Sequence, residues 1–264
     1  MTLTTVLVNL TILSVPLSAI AQGIPPLLEI ERAEGTINVV IRNVGAARMT
    51  ACALTYSQVL QQNGRQHEVG GRNIYDAVTN HNQIVPPGGT HTVKLVPRDA
   101  AADPNVQIRA GIYEDGSTFG DPGWVDLIRK RRFDFLEASI NALEDLSTVT
   151  SNSMSSSNPA AVMETALSKR MAALGDEAQK AQAEAKGFSS GQSPYGGNTP
   201  AERSAKLAVL AAQEHVTAVK AIYSMVIYNL KIPPTSNGIP VDFAQTLNIL
   251  RTKLTQEISR MKSQ

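Results

Sequence analysis

The hydrophobic pattern of this chain changes its period near residue 120. Up to that point apolar residues alternate with other residues, which is typical of strands with one buried face. The last alternating stretch places four side chains on one side: Val106, Ile108, Ala110 and Ile112. Beyond it, Trp124, Leu127 and Ile128 recur at helical spacing. The chain is therefore predicted to build sheets first and helices second, an α+β fold.

Residues 27–119 are predicted to form an antiparallel, immunoglobulin-like β-sandwich. Short strand patterns are separated there by Gly, Pro and Asn turns, such as residues 43–45 and 86–90. The Cys–Trp–Cys pattern of antibody domains is absent, which excludes a true antibody-type domain but leaves the architecture open.

Residues 121–264 are predicted to form a helical region of about four helices. A capping residue followed by proline marks three helix starts: Asp121-Pro122, Asn158-Pro159 and Thr199-Pro200. A fourth start is expected near Pro240. The predicted helices lie near 121–146, 158–186, 199–231 and 240–262, with no charge on their apolar stripes. The Ser-rich residues 147–157 and the Gly- and Ser-rich residues 187–198 are expected to be mobile, because they lack apolar side chains.

Three local sequences carry a resemblance to a known kind of protein. They are Arg42-Asn43-Val44, Pro87-Gly88-Gly89-Thr90 and the stretch from Ala110 to Pro122. Together they resemble uncharacterised exported bacterial proteins that pair an immunoglobulin-like β-sandwich with a following helical region. The resemblance implies an architecture and brings no activity with it.

The first 28 residues contain no charged side chain, and residues 3–17 are mostly apolar. Ala19-Ile20-Ala21 fits a small-x-small cleavage site, so residues 1–21 are predicted to be a secretory signal peptide. An uncleaved anchor and a buried strand are the alternatives, because no Lys or Arg precedes the apolar run. The expected location is periplasmic or extracellular.

Charge and cysteine content narrow the function. The 24 basic residues nearly balance the 23 acidic ones, so no electrostatic footprint for nucleic acid is present. Cys52 is the only cysteine, which excludes an intramolecular disulfide and a Cys-rich zinc motif. It alternates with Leu54 and Tyr56, so we expect a small buried apolar side chain.

The junction between the two halves holds the first candidate site. Glu114, Asp115 and Asp121 are close in sequence and could hold a cation or act as hydrolytic acids. Their spacing lacks the ligand alternation of an EF-hand, and a turn plus a helix cap explains them more simply. Trp124 is expected to fill the corner between sheet and helix.

Arg129-Lys130-Arg131-Arg132 is the second candidate site. The run could contact an anionic partner, but on a helix its members spread over three sides and would pair with nearby carboxylates.

Two other patterns are read as structural. Gly187-Phe-Ser-Ser-Gly191 matches a nucleophile elbow, but Ser189 is expected to lie in a flexible loop, and His215 and Asp242 follow in the reverse of the usual order. The histidines His67, His81, His91 and His215 have no metal-binding spacing. No metal or other cofactor is predicted.

The leading functional hypothesis is a non-enzymatic binding or assembly module of the bacterial envelope. Its partner would be an unknown protein or envelope component, with no nucleic acid and no membrane span after signal cleavage. The helical faces also allow a homo-oligomer. The alternative is an extracytoplasmic hydrolase that uses the carboxylates at the junction.

Overall fold

A computed structural model describes residues 23–33, 36–62, 65–80, 83–96, 104–153, 156–186, 199–232, 235–236, 239–240 and 242–263. Within them, antiparallel strands come first and long helices second. The α+β class predicted from the change of period is therefore confirmed. The predicted signal peptide, residues 1–21, lies outside the described residues.

Seven strands form two antiparallel sheets. They are β1 (Leu27–Ala33), β2 (Thr36–Arg42), β3 (Met49–Gln62), β4 (Arg65–Asp76), β5 (Thr90–Leu95), β6 (Asn105–Tyr113) and β7 (Thr118–Gly120). The strand orders are β1-β2-β5 and β4-β3-β6-β7. Val39 and Ile41 of the first sheet join Leu54 and Tyr75 of the second in one buried cluster. The two sheets therefore share a hydrophobic core.

Four long helices follow the sheets, as predicted. They are α1 (Pro122–Ser153), α2 (Pro159–Lys186), α3 (Pro200–Lys231) and α4 (Phe243–Lys262). Two short strands, β8 (Thr235–Ser236) and β9 (Ile239–Pro240), pair between α3 and α4. The apolar stripes of all four helices meet in a second core, which includes Leu146, Met163, Tyr223 and Leu250. Burial of these stripes stabilises the helices more than local propensity does.

The expected end of the first helix near residue 146 was wrong, because α1 continues to Ser153. Its hydroxyl groups bond within the helix: Ser147 and Thr150 donate to the carbonyl oxygens of Leu143 and Leu146, at 2.9 and 2.5 Å. Ser153 is fully buried, and Val149 packs on the helical core. Residues 147–153 continue the helix because side-chain hydroxyls can satisfy helix carbonyls and Val149 continues the apolar stripe.

The fourth helix begins later than predicted. Pro240 lies in β9, and Asp242 is the N-cap of α4, since its carboxylate accepts from the backbone N–H of Gln245 at 2.8 Å. A carboxylate at this position satisfies an otherwise unpaired donor of the first turn.

Residues 49–55 of β3 are buried on both faces of the strand. Cys52 and Leu54 lie in the core between the sheets, whereas Ala51 and Ala53 lie in a third cluster that contains Trp124 of α1. The methyl side chains of the alanines allow the helix to approach the strand closely. The four-stranded sheet is consequently the middle layer, between the other sheet and the helices.

The predicted alternation along β6 was wrong, because a bulge interrupts it. Ala53 pairs with Ala110, but Leu54 pairs with Ile108, so Arg109 has no opposite residue. Val106 and Ile108 therefore face the core between the sheets, while Ala110 and Ile112 face the helices. A bulge of one residue reverses the side on which all later side chains lie.

Candidate functional site

The corner between β6 and α1 is built from a turn and a helix cap, as the simpler interpretation predicted. Asp115 Oδ1 accepts from the backbone N–H and the hydroxyl of Ser117, at 3.0 and 2.6 Å. These hydrogen bonds lower the pKa of the exposed Asp115 carboxyl. Asp121 Oδ1 accepts from the N–H of Gly123 at 2.8 Å, in the first turn of α1. Both carboxylates therefore have structural partners.

Trp124 fills the corner between sheet and helix. Only 4% of its surface is exposed, and it lies in the cluster of Ala51, Ile74 and Leu210. The predicted packing role of this residue is confirmed. Its burial leaves almost none of its surface for contact with a ligand.

Glu114 lies apart from the other two carboxylates, in a polar cleft of about 370 Å³ that it shares with Arg129 and Arg132. Its side chain is half exposed and lies 3.5 Å from Arg48. The structure thus brings one predicted acid together with two members of the basic run. It does not bring Glu114, Asp115 and Asp121 together in this cleft.

The basic run divides into an exposed and an internal pair. Arg129 and Lys130 are exposed, and Lys130 Nζ lies 2.7 Å from Asp134. Arg132 donates to both carboxylate oxygens of the fully buried Asp76, at 3.0–3.2 Å. Arg131 is also buried. Only Arg129 and Lys130 therefore present substantial charge to solvent for the expected anion contact.

Glu214 is the centre of a buried network that the sequence analysis missed. One oxygen accepts from Arg72 of β4 at 2.8 Å, and the other accepts from Arg131 of α1. Arg131 also donates to Thr79 and Asn80, after β4. The expectation of helical stripes without charge was wrong, because Glu214 lies on the buried face of α3. This network joins the sheet to two helices.

A second polar cluster lies one residue further along α3. His215 Nδ1 is 3.1 Å from Oδ1 of Asp134, which is completely buried. Asp134, Glu137 and His215 each place one possible ligand atom within 4.8 Å of the others. The sequence prediction considered only the spacing between histidines. It therefore missed this group, in which one histidine of α3 lies beside two carboxylates of α1. The sequence feature that could have indicated this group is the pair Asp134 and Glu137, three residues apart on α1.

An apolar groove of about 420 Å³ lies between α3 and α4. Phe135, Ile222, Met225 and Met261 line it from three helices, and Lys253, Gln256 and Glu257 lie at its polar side. Phe135, Ile222 and Met261 are buried within the fold, whereas Ala221, which also lines the groove, is exposed. Both α3 and α4 pack on α1 while leaving this space between them.

The remaining candidates do not form a site in the described part of the chain. His91 lies in β5 against the ring of Tyr75, and burial lowers its pKa. Cys52 is fully buried as expected, and burial raises the pKa of its thiol to about 12. Ser189 and His81 lie outside the described residues, as does the side chain of His67.

No protein-family model matches the chain, and neither the curated proteins nor the solved structures contain a significantly similar chain. Among the described helices, none combines the length and apolar character needed to cross a membrane.

Proposed function

We propose that this chain is a non-enzymatic binding module exported to the bacterial envelope. The groove between α3 and α4 is the observation that carries the proposal. Its volume of about 420 Å³ falls in the range typical of small-molecule sites. Phe135, Ile222 and the two methionines give it an apolar lining, and methionine side chains adapt to varied shapes.

The chemistry of the groove fits a small amphipathic molecule. The apolar part of such a ligand would lie mainly on the exposed Ala221 and the partly buried Met225, beside the buried Phe135, where it would displace water from apolar surface. Its polar end would reach the ammonium group of Lys253 or the amide of Gln256 at the edge. Few polar groups around an apolar lining are typical of binding sites that orient a ligand.

Titration with the apolar anionic dye 8-anilinonaphthalene-1-sulfonate tests this proposal. Ala221→Glu places a long negatively charged side chain at the exposed edge of the groove, whereas Ala208→Glu adds the same charge to an exposed position of α3 that does not line it. We expect saturable binding of one dye molecule, weakened at least about tenfold (~1.4 kcal/mol) by Ala221→Glu and unchanged by Ala208→Glu. Equal affinities of the two variants, or no saturable binding, would refute it.

Export is supported by the absence of charge in the first 21 residues, by the mostly apolar residues 3–17 and by the Ala19-Ile20-Ala21 sequence. N-terminal sequencing of the protein recovered from the source cell is the test. A mature chain that begins at Gln22 would support export with cleavage. A chain that retains residues 1–21 and is recovered from the cytosolic fraction would contradict export.

The immunoglobulin-like character of residues 27–119 is part of the same proposal. Two antiparallel sheets that share one core support it. An experimental structure that gave the two sheets a different packing or strand order would contradict it.

The other functional hypotheses have less support. Asp115 and Asp121 are engaged in a turn and a cap, so no observation favours a hydrolase at the junction. Leu247, Leu250 and Leu254 of α4 are buried within one chain, so this apolar stripe is already covered and does not support a homo-oligomer. We therefore place the binding activity in the groove and not in self-association.

A further inference from the structure

We propose that Asp134, Glu137 and His215 form a Zn²⁺ site between α1 and α3. The site is separate from the groove and does not depend on the proposed function. Asp134 and Glu137 lie three residues apart, so they share one face of α1. The packing of α3 on α1 brings His215 to the same face.

The buried carboxylate of Asp134 provides independent evidence for a bound cation. Its Oδ1 accepts from Lys130 at 2.7 Å and lies 3.1 Å from Nδ1 of His215. Its Oδ2 is buried and has no hydrogen-bond partner among the described residues. A buried oxygen without a partner destabilises the folded state, and more so when it is charged. A cation bound to this carboxylate would remove that cost.

The geometry and the ligand types fit zinc. Zn²⁺ binds histidine nitrogen and carboxylate oxygen at about 2.0–2.2 Å, so ligand atoms around a tetrahedral ion lie about 3.3 Å apart. The three atoms here already lie within 4.8 Å of one another. Glu137 is exposed and can change its rotamer to close the remaining gap. Three protein ligands leave the fourth position to water, as in open zinc sites.

Lys130 bonds to only one of the two carboxylate oxygens of Asp134. Its ammonium group bonds to Oδ1 of Asp134, and its side chain is 47% exposed. The side chain can therefore move into water when a divalent ion binds. Glu137 adds a second negative charge, so the three ligands carry two formal negative charges against the single charge of Lys130 when His215 is neutral.

Calorimetric titration of the purified full chain with ZnCl₂ tests the site. Glu137→Gln and His215→Gln each remove one ligand, and Glu144→Gln removes the same charge from an exposed position two turns further along α1. We expect one equivalent of zinc to bind, with affinity at least about tenfold weaker in the two ligand variants and unchanged in Glu144→Gln. Circular dichroism of each variant verifies that the fold is retained.

Experiments with two other metal ions distinguish a specific zinc site from nonspecific electrostatic attraction of cations. Co²⁺ in place of zinc should give the visible absorption bands of a low-symmetry nitrogen and oxygen site, and His215→Gln should abolish them. Mg²⁺ should not compete at equal concentration, because it prefers octahedral oxygen ligands and loses water reluctantly. Absence of saturable zinc binding, equal affinity in all variants, or equal competition by Mg²⁺ would overturn the proposal.

Discussion

Replacing Glu214 with glutamine tests the buried network that joins the sheet to the helices. The substitution keeps the side-chain shape but removes the negative charge between two guanidinium groups. Arg72 donates to one carboxylate oxygen, at 2.8 Å from Nη2 and 3.3 Å from Nε, and Arg131 donates to the other. Glutamine has one acceptor oxygen, so its amide nitrogen must face one of the two arginines. That arginine would lose its charged partner inside the protein.

The expected loss in the free energy of unfolding is about 3 kcal/mol. Removal of one partner from a buried ion pair costs about 3–5 kcal/mol, and a hydrogen bond to a charged group contributes about 1.5–3 kcal/mol. The side chain of Glu214 is 5% exposed and that of Arg131 is 10% exposed, so solvent screens the pair weakly. Arg72 is 20% exposed and can gain some hydration, which places the estimate at the lower end of the range.

Urea unfolding followed by circular dichroism gives the change in free energy from the midpoint and the slope. Glu29→Gln is the matched control, because Glu29 pairs with Arg42 at 3.4 Å while 49% and 42% of the two side chains are exposed. Such a surface pair contributes about 1 kcal/mol or less. If both substitutions cost the same small amount, the network does not stabilise the junction as described.

Three further substitutions and one thiol-labelling reaction test the corner and the core. Trp124→Ala should lower the free energy of unfolding by about 3–5 kcal/mol in the same urea assay, because it opens a cavity between sheet and helix; a loss below about 1 kcal/mol would contradict its packing role. Gly120→Ala should cost at least about 3 kcal/mol, since Gly120 has a φ of +88° and an added Cβ would lie 2.1 Å from the carbonyl oxygen of Arg109. Gly116 has a φ of +81° and open space around it, so Gly116→Ala should lower the free energy of unfolding by only about 1 kcal/mol. Equal losses of stability at the two glycines would show that the close contact with Arg109 is not the cause. Cys52 should react with a thiol reagent only after unfolding, because burial raises its pKa to about 12 and blocks access; rapid labelling of the folded protein at mildly alkaline pH would contradict this.

Local chemistry made the order of elements predictable. Asp121-Pro122 and Thr199-Pro200 mark helix starts through cap geometry, which depends on residues within one turn. Trp124 follows the last strand directly, so its position in the corner could be inferred from the sequence. The β8–β9 pair, which precedes α4, has no comparable sequence pattern. Only two residues of each strand pair, which is too few to show an alternation.

Contacts between residues that are distant in sequence could not be predicted from local patterns. The bulge at Arg109 depends on the register between β3 and β6, which alternation within β6 does not encode. Glu214 bonds to Arg72 from a position 142 residues further along the chain. Its signal was a charged residue on the apolar face of α3, four residues after Leu210 and four before Ala218. Arg131 and Asp134 give the same signal on α1.

The position of the four-stranded sheet in the middle of the molecule also affects how the chain is made. Its face with Ala51 and Ala53 is covered by residues of α1 and by Leu210 of α3. A nascent chain that ended before α3 would already contain β3 but could not complete this cover or the contact between Arg72 and Glu214. Truncated chains on the ribosome should therefore bind chaperones until α3 has emerged.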